Sequence, residues 1–182
     1  QIVEYADWSL KKFIELSSKQ KWFDNTIFVF VADHGAPISS TYEIPLAYFH
    51  SPFIIYAPKI IASNIQYEKI GSQIDVFPTI MGLIKQPYIN NTLGIDLQRQ
   101  NRKYVIINND SKIGVLDTSY FCIMGKEDVN LFKYKELNTT DYFDTESEKA
   151  KEMTEYAKSV MQTYQEMLLN GEVTLHNNVD VK

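Results

Sequence analysis

Residues 25–35 constrain the fold most. Within them, six of the seven residues at 27–33 are apolar, and no charge intervenes before Asp33. A continuous run of this kind, rich in β-branched and aromatic side chains, reads as a strand buried on both faces of a parallel sheet covered by helices. It ends in Asp33, His34 and Gly35, a carboxylate beside an imidazole where the strand should leave the sheet. In open α/β sheets ligands bind outside the carboxyl ends of the strands. Neighbouring side chains on a regular strand point to opposite faces, so Asp33 and His34 reach one ion only where the strand breaks into a loop. Gly35 gives that break its conformational freedom. An aspartate oxygen and a histidine nitrogen suit zinc or another borderline divalent metal. Spacing alone leaves a second reading open, in which Asp33 caps a following helix and His34 is an ordinary loop residue.

The chain has 182 residues, enough to bury a substantial core, and its 45% hydrophobic and 23% charged content is globular rather than disordered. Net charge is −5, with no basic run to follow a phosphate backbone, which argues against nucleic acid as a partner. The single cysteine, Cys122, excludes an intramolecular disulfide and a cysteine-based zinc site; its apolar surroundings mark it as a buried small hydrophobe. No run approaches the roughly 20 apolar residues that span a bilayer, and no signal peptide opens the chain. The sequence begins at Gln1 inside a helical pattern, and is read as a piece of a longer protein.

Residues 1–20 repeat apolar side chains at helical spacing and read as an amphipathic helix with Asp7 on its exposed face. Trp22 and Phe23 are expected to anchor the turn into the strand. Residues 36–45 hold two prolines and a cluster of hydroxyls, and read as an irregular surface loop that shapes access to the site. His50 follows, just before a second buried strand at 54–56. Ser72 is a helix N-cap with Asp75 as an acidic capping-box partner, opening a helix that Pro78 bends. After a loop at 85–101, short apolar runs near 104–108, 113–117, 120–124 and 131–134, separated by tight turns, predict an antiparallel meander. Residues 148–169 form the last helix, whose Met/Tyr stripe reads as a packing face; the tail 171–182 is polar and expected to fray, and its His176 is a poor ligand candidate.

Three segments taken together, 25–35, 52–58 and 72–80 ("SQIDVFPTI"), resemble the alkaline phosphatase/sulfatase superfamily, and most closely its lipoteichoic acid synthase-like branch of phosphoglycerol or phosphoethanolamine transferases. The resemblance implies an α/β fold. Residues 1–100 would be the C-terminal portion of the catalytic core, a mainly parallel sheet flanked by helices, and residues 101–182 a small antiparallel sheet plus C-terminal helix of the same domain. It implies one divalent metal ion (Mn, Zn, Mg or Ca) with Asp33 and His34 among its ligands. It gives His50 contact with the phosphate or sulfate group, against a second reading as a histidine hydrogen-bonded locally at a strand entrance. Asp75 takes a structural capping role.

The family's early acidic ligand and its Thr, Ser or modified Cys nucleophile have no counterpart in residues 1–24, so they are expected upstream, and the fragment alone is expected to be inactive. Cys122 lies too far downstream to be that nucleophile. The implied activity is transfer or hydrolysis of phosphate or sulfate esters on a lipid or glycan, with phosphoglycerol-type transfer preferred and sulfate-ester hydrolysis as the alternative. In that branch the parent is membrane-anchored with its catalytic domain outside the cytoplasm. A non-catalytic binding module with a vestigial site is the rival from another class. The missing N-terminal part of the domain is the expected partner, and an uncovered sheet edge would favour a homodimer of the fragment.

Overall fold

The computed structural model describes residues 2–36, 38, 40–61 and 64–173. The expectations for the polar tail and His176 fall mainly outside them. Contacts divide the chain into two compact units, Gln1–Gly35 with His50–Tyr67, and Ala36–Phe49 with Glu68–Lys182. No helix among the described residues is long and apolar enough to cross a membrane.

In the first unit, helix α1 spans Ile2–Ser17, and strands β1 (Phe28–Val31) and β2 (Phe53–Tyr56) form a two-stranded sheet. Phe28 is buried at the centre of an aromatic cluster. Phe13 of α1 meets it edge-on at 5.8 Å, with Phe23 at 5.3 Å, Tyr56 at 6.1 Å and Trp22 at 6.2 Å. Aromatic pairs at such distances contribute about 0.5–1.5 kcal/mol each beyond area burial, so Trp22 and Phe23 anchor the turn into β1 as expected. Elsewhere α1 leaves Ile2, Val3, Tyr5, Trp8 and Leu10 exposed.

The α/β class, the small antiparallel sheet and the C-terminal helix agree with the sequence reading, but the direction of β1 and β2 does not. They run antiparallel, pairing Phe28 with Tyr56 and Val31 with Phe53. Nor are they buried on both faces: Val31, Ile54 and Tyr56 are exposed. An unbroken apolar run reports how much a strand could bury. It carries no information on the direction of its neighbour.

The second unit is built on a four-stranded antiparallel meander, β3 (Val105–Asn109), β4 (Lys112–Leu116), β5 (Phe121–Met124) and β6 (Val129–Phe132), in sequential order. Side chains alternate between its faces, so each face builds its own core. On one face Val115, Cys122 and Leu131 pack with Ala150, Met153 and Ala157 of the C-terminal helix, here Ser147–Leu169. On the other, Ile107, Phe121 and Ile123 enclose Ile44, with Tyr42 and Leu46 against them. Full burial of an aliphatic side chain contributes roughly 1.5–3 kcal/mol. Ile44 is therefore core, with Tyr42 and Leu46 packed beside it and Glu43 exposed, which corrects the surface-loop reading at these positions: Tyr42, Ile44 and Leu46 alternate with Glu43 and Pro45, a period of two that the neighbouring prolines and hydroxyls obscured. The apolar stripe of the last helix is likewise only half used, since Met161, Tyr164 and Leu168 are exposed.

A polar network closes the helix side of the sheet. Lys149 Nζ lies 2.7 Å from Asp117 Oδ2 and donates to the Tyr104 hydroxyl at 3.0 Å. Burial by itself would push the Lys149 ammonium down. Its hydrogen bonds to Asp117 and Tyr104 outweigh that and hold it above the ordinary 10.5, while burial raises the Tyr104 phenol. A folded pKa above the unfolded one stabilises fully below the unfolded value, and the gain is lost as pH rises through the folded value. Alkaline loss of near-UV circular dichroism should therefore steepen above about pH 10.5 and be shallower in Lys149→Met.

The other α-helices described in this unit are the one-turn helix Leu46–Phe49 and the helix Val76–Ile84, numbered α2 and α3, which makes Ser147–Leu169 α4. Asp75, at the N-cap of α3, is fully buried. Its Oδ2 accepts from Ser72 N–H at 2.8 Å and Arg102 Nε at 2.6 Å; its Oδ1 accepts from Ile95 N–H at 2.8 Å and from Arg102 Nη2. Arg102, nearly buried, also donates to the Leu93 carbonyl at 2.9 Å. Gly94 permits the close approach, because a Cβ there would stand 2.0 Å from the Ile74 carbonyl oxygen. The capping role of Asp75 is as expected; Arg102, in a loop-like stretch, carried no sequence signal. Removing one partner of a buried pair leaves the other charge stranded, so Arg102→Met should cost about 3–5 kcal/mol in urea unfolding. The double variant Asp75→Leu/Arg102→Met should recover part of it.

Candidate functional site

β1 ends at Val31 and the chain bends at Asp33. Losing strand geometry there frees the Asp33 and His34 side chains from opposite faces. The His34 N–H donates to Asp33 Oδ1 at 2.9 Å. His34 Nδ1 lies 2.8 Å from the Gly35 carbonyl oxygen. That oxygen only accepts, so Nδ1 carries the hydrogen, and in the neutral ring the lone pair is on Nε2. Nε2 stands 3.7 Å from Asp33 Oδ2, a span open to two donors each about 2.1 Å from one ion. One oxygen of the carboxylate is thus engaged by the backbone while the other faces the imidazole.

The side chains are 88% exposed at Asp33 and 46% at His34. A polar contact so exposed is screened by water and contributes little to stability. The donors fit a divalent metal in kind: one hard oxygen and one borderline nitrogen whose other ring nitrogen is fixed by a carbonyl. They do not complete a site. Among the described residues no group of three or more His, Cys, Asp or Glu is arranged to hold a metal ion.

His50 is exposed, following α2 and three residues before β2. Strand direction decides where that puts it. Two parallel strands would place the entrance of β2 at the opposite end of the sheet from the exit of β1. Because β1 and β2 are antiparallel, with Val31 opposite Phe53, Asp33 and His34 leave the pair at the same end at which His50 enters it. The structure thus brings the three residues to one end of one sheet through a register that the sequence reading did not foresee.

Cys122 is fully buried in the meander, away from solvent. Burial first, and the charge of Asp141 second, push its thiol up to about 12. A neutral, buried thiol is a poor nucleophile. It should resist alkylation in the native protein at neutral pH and react only on unfolding, a contrast that mass spectrometry with iodoacetamide would read.

Residues 1–86 match the family model described as Sulfatase. A curated relative, the N-acetylgalactosamine-6-O-sulfatase of Bacteroides thetaiotaomicron, is 24% identical, over 59% of this chain and 27% of its own length. A solved protein of the alkaline phosphatase superfamily from Vibrio parahaemolyticus superposes with a TM-score of 0.73 at 22% identity, covering 96% of this chain and 42% of that one. The phosphonate monoester hydrolase of Silicibacter pomeroyi gives a TM-score of 0.65 at 17% identity, covering 88% of this chain and 38% of that one. The likeness to the solved structures, at these identities, is one of fold. This chain spans about a quarter of the length of the sulfatase relative and about two fifths of the solved structures.

Proposed function

We propose, from the match of residues 1–86 to the Sulfatase family model and the likeness in fold to the solved structures, that the protein cleaves or transfers sulfate or phosphate esters at a divalent metal held in part by Asp33 and His34. The observation that carries this reading is the approach of Asp33 Oδ2 and His34 Nε2 to 3.7 Å, at the end of the strand pair where His50 also emerges.

Asp33 supplies a charged oxygen donor and His34 the Nε2 lone pair, and the Gly35 carbonyl holds the imidazole in the tautomer that offers it. A divalent ion bound there would neutralise charge on the transferred group and activate a nucleophile. His50 donates a hydrogen bond to a non-bridging oxygen of the ester, stabilising the negative charge that builds there. In this reading the nucleophile and the remaining acidic donor belong to the family's early motifs, which residues 1–24 do not contain, and these 182 residues by themselves do not turn over. A sulfated glycan is the first substrate class to try, since the Bacteroides relative is by name a sulfatase of a 6-O-sulfated amino sugar. Phosphoglycerol transfer from a membrane-anchored parent is the second reading, favoured by the likeness of "WFDNTIFVFVADH" and "SQIDVFPTI" to the lipoteichoic acid synthase branch.

The test uses the full-length protein, with manganese and zinc binding followed by calorimetry and turnover by release of the aryl alcohol from an aryl sulfate and from an aryl phosphodiester. Asp33→Asn/His34→Ala should lose about a hundredfold or more in metal affinity and turnover with it. His50→Ala should keep metal affinity and lose about a hundredfold in kcat/KM. The preferred ester separates the two readings. A folded double variant with unchanged binding and turnover would falsify the metal assignment and leave the binding-module reading standing.

A further inference from the structure

Within the second unit, α3 ends at Lys85, whose N–H donates to the Met81 carbonyl at 2.9 Å and whose φ of 60° turns the chain out of the helix. The segment that follows returns to the helix so closely that a Cβ on Gly82 would stand 2.0 Å from Asp96 Oδ2. Between the end of α3 and this returning segment lies a cleft of about 460 Å³, inside the range of about 300–1,000 Å³ of small-molecule sites. Asp96 is the fixed point of its lining. The Asp96 carbonyl accepts the Arg99 and Gln100 N–H groups at 3.1 and 2.9 Å, and Oδ1 accepts the Gln98 N–H at 2.9 Å. The side chain is only 11% exposed, and Oδ2 stands 3.5 Å from Arg99 Nε, beyond the usual N–H···O range of about 2.7–3.2 Å. A nearly buried carboxylate oxygen thus keeps acceptor capacity. Lys85, Gln86, Arg99 and Gln100 bring donors to the same cleft, and the Tyr88 ring in it is held edge-on by Phe77 at 5.5 Å. Asn90 fixes the loop between them, donating to the Gly94 carbonyl at 2.9 Å and accepting from the Thr92 hydroxyl at 2.8 Å.

We propose that this cleft binds an acidic sugar, a monosaccharide unit that carries a sulfate or carboxylate group beside free hydroxyls. The donor set selects that class. Two cations, Lys85 and Arg99, stand with one carboxylate, so the cleft is locally cationic in a chain of net charge −5. Hydrogen bonds from such cations to an acid group are roughly twice as strong as neutral ones. A bare inorganic anion would also meet Asp96, a like charge. A hydroxyl beside the acid group instead donates to Asp96 Oδ2 while accepting from the Arg99 guanidinium, so the same carboxylate becomes a partner. The amides of Gln86 and Gln100 offer both donor and acceptor to further hydroxyls, and the Tyr88 ring offers an apolar surface to the C–H face of the sugar. The assignment rests on the cleft alone and is independent of the metal reading of Asp33 and His34.

The experiment is calorimetry on the full-length protein carrying Asp33→Asn/His34→Ala, with a chelator present, so that the candidate metal site is silent. The probes are N-acetylglucosamine 6-sulfate, glucuronic acid, unsulfated N-acetylglucosamine and inorganic sulfate. At least one acidic sugar should bind about tenfold or more tighter than both the neutral sugar and inorganic sulfate, and Arg99→Ala and Lys85→Ala, both at exposed residues, should each weaken it about tenfold. Asp96→Asn keeps an oxygen for the Gln98 N–H, and should weaken the acidic sugar about tenfold while tightening inorganic sulfate. A loss of fold would weaken both ligands, so these opposite signs separate recognition from a structural role. Absence of acidic-sugar binding overturns the proposal, as does binding that the Arg99 and Lys85 variants leave unchanged. Inorganic sulfate binding as tightly as the acidic sugars overturns it too. None of these outcomes bears on ester turnover by the protein with Asp33 and His34 intact, which tests the metal reading separately.

Discussion

The carboxylate of Asp75 is the point on which the second unit depends. A buried charge is tolerated only when its lone pairs are satisfied, and here two backbone N–H groups and two guanidinium nitrogens satisfy them. Those donors come from residues 72, 95 and 102. One side chain therefore ties the start of α3, the segment that crosses beside it, and the lead into β3. Arg102 repeats the bond from the other direction through the Leu93 carbonyl. The meander that begins three residues after Arg102 then carries two cores, one shared with α4 and one with Ile44 and its neighbours Tyr42 and Leu46.

At the candidate site the governing constraint is of another kind. Asp33 and His34 need no burial to be brought together, since one backbone donor, one backbone acceptor and the loss of strand geometry turn their reactive atoms toward each other. Such local organisation orients two donors but does not assemble a coordination sphere. His50 joins them only by strand pairing. The site therefore draws on two levels of structure at once: a dipeptide at a bend and the register of two strands.

Much of this was legible in residue patterns. The spacing of Ser72 and Asp75 fixed a capping box, the short apolar runs after 103 fixed a meander, and the helical period from 148 fixed α4, because each signal is local and repeats at the period of its own element. What failed to show was every feature that depends on a partner distant in sequence. Arg102 looks like any loop arginine until Asp75 is beside it. Ile44 lay among prolines and hydroxyls, and its alternation with Tyr42 and Leu46 spans too few residues to outweigh them. The Met/Tyr stripe of α4 predicted burial along the whole helix, yet packing stops short of Met161, since a stripe states what a face would bury and not what stands opposite.

The amino-acid sequence by itself determined the α/β class, the order of the elements and the identity of the Asp33–His34 pair as a candidate for metal chemistry, because helix and strand periods, caps and donor types are properties of neighbouring residues. Tertiary structure alone decided that β1 and β2 run antiparallel, that His50 consequently shares an end with Asp33 and His34, and that Ile44, with Tyr42 against it, belongs to a core. These are pairings across the chain, and no local pattern encodes the direction or the depth at which two distant segments meet.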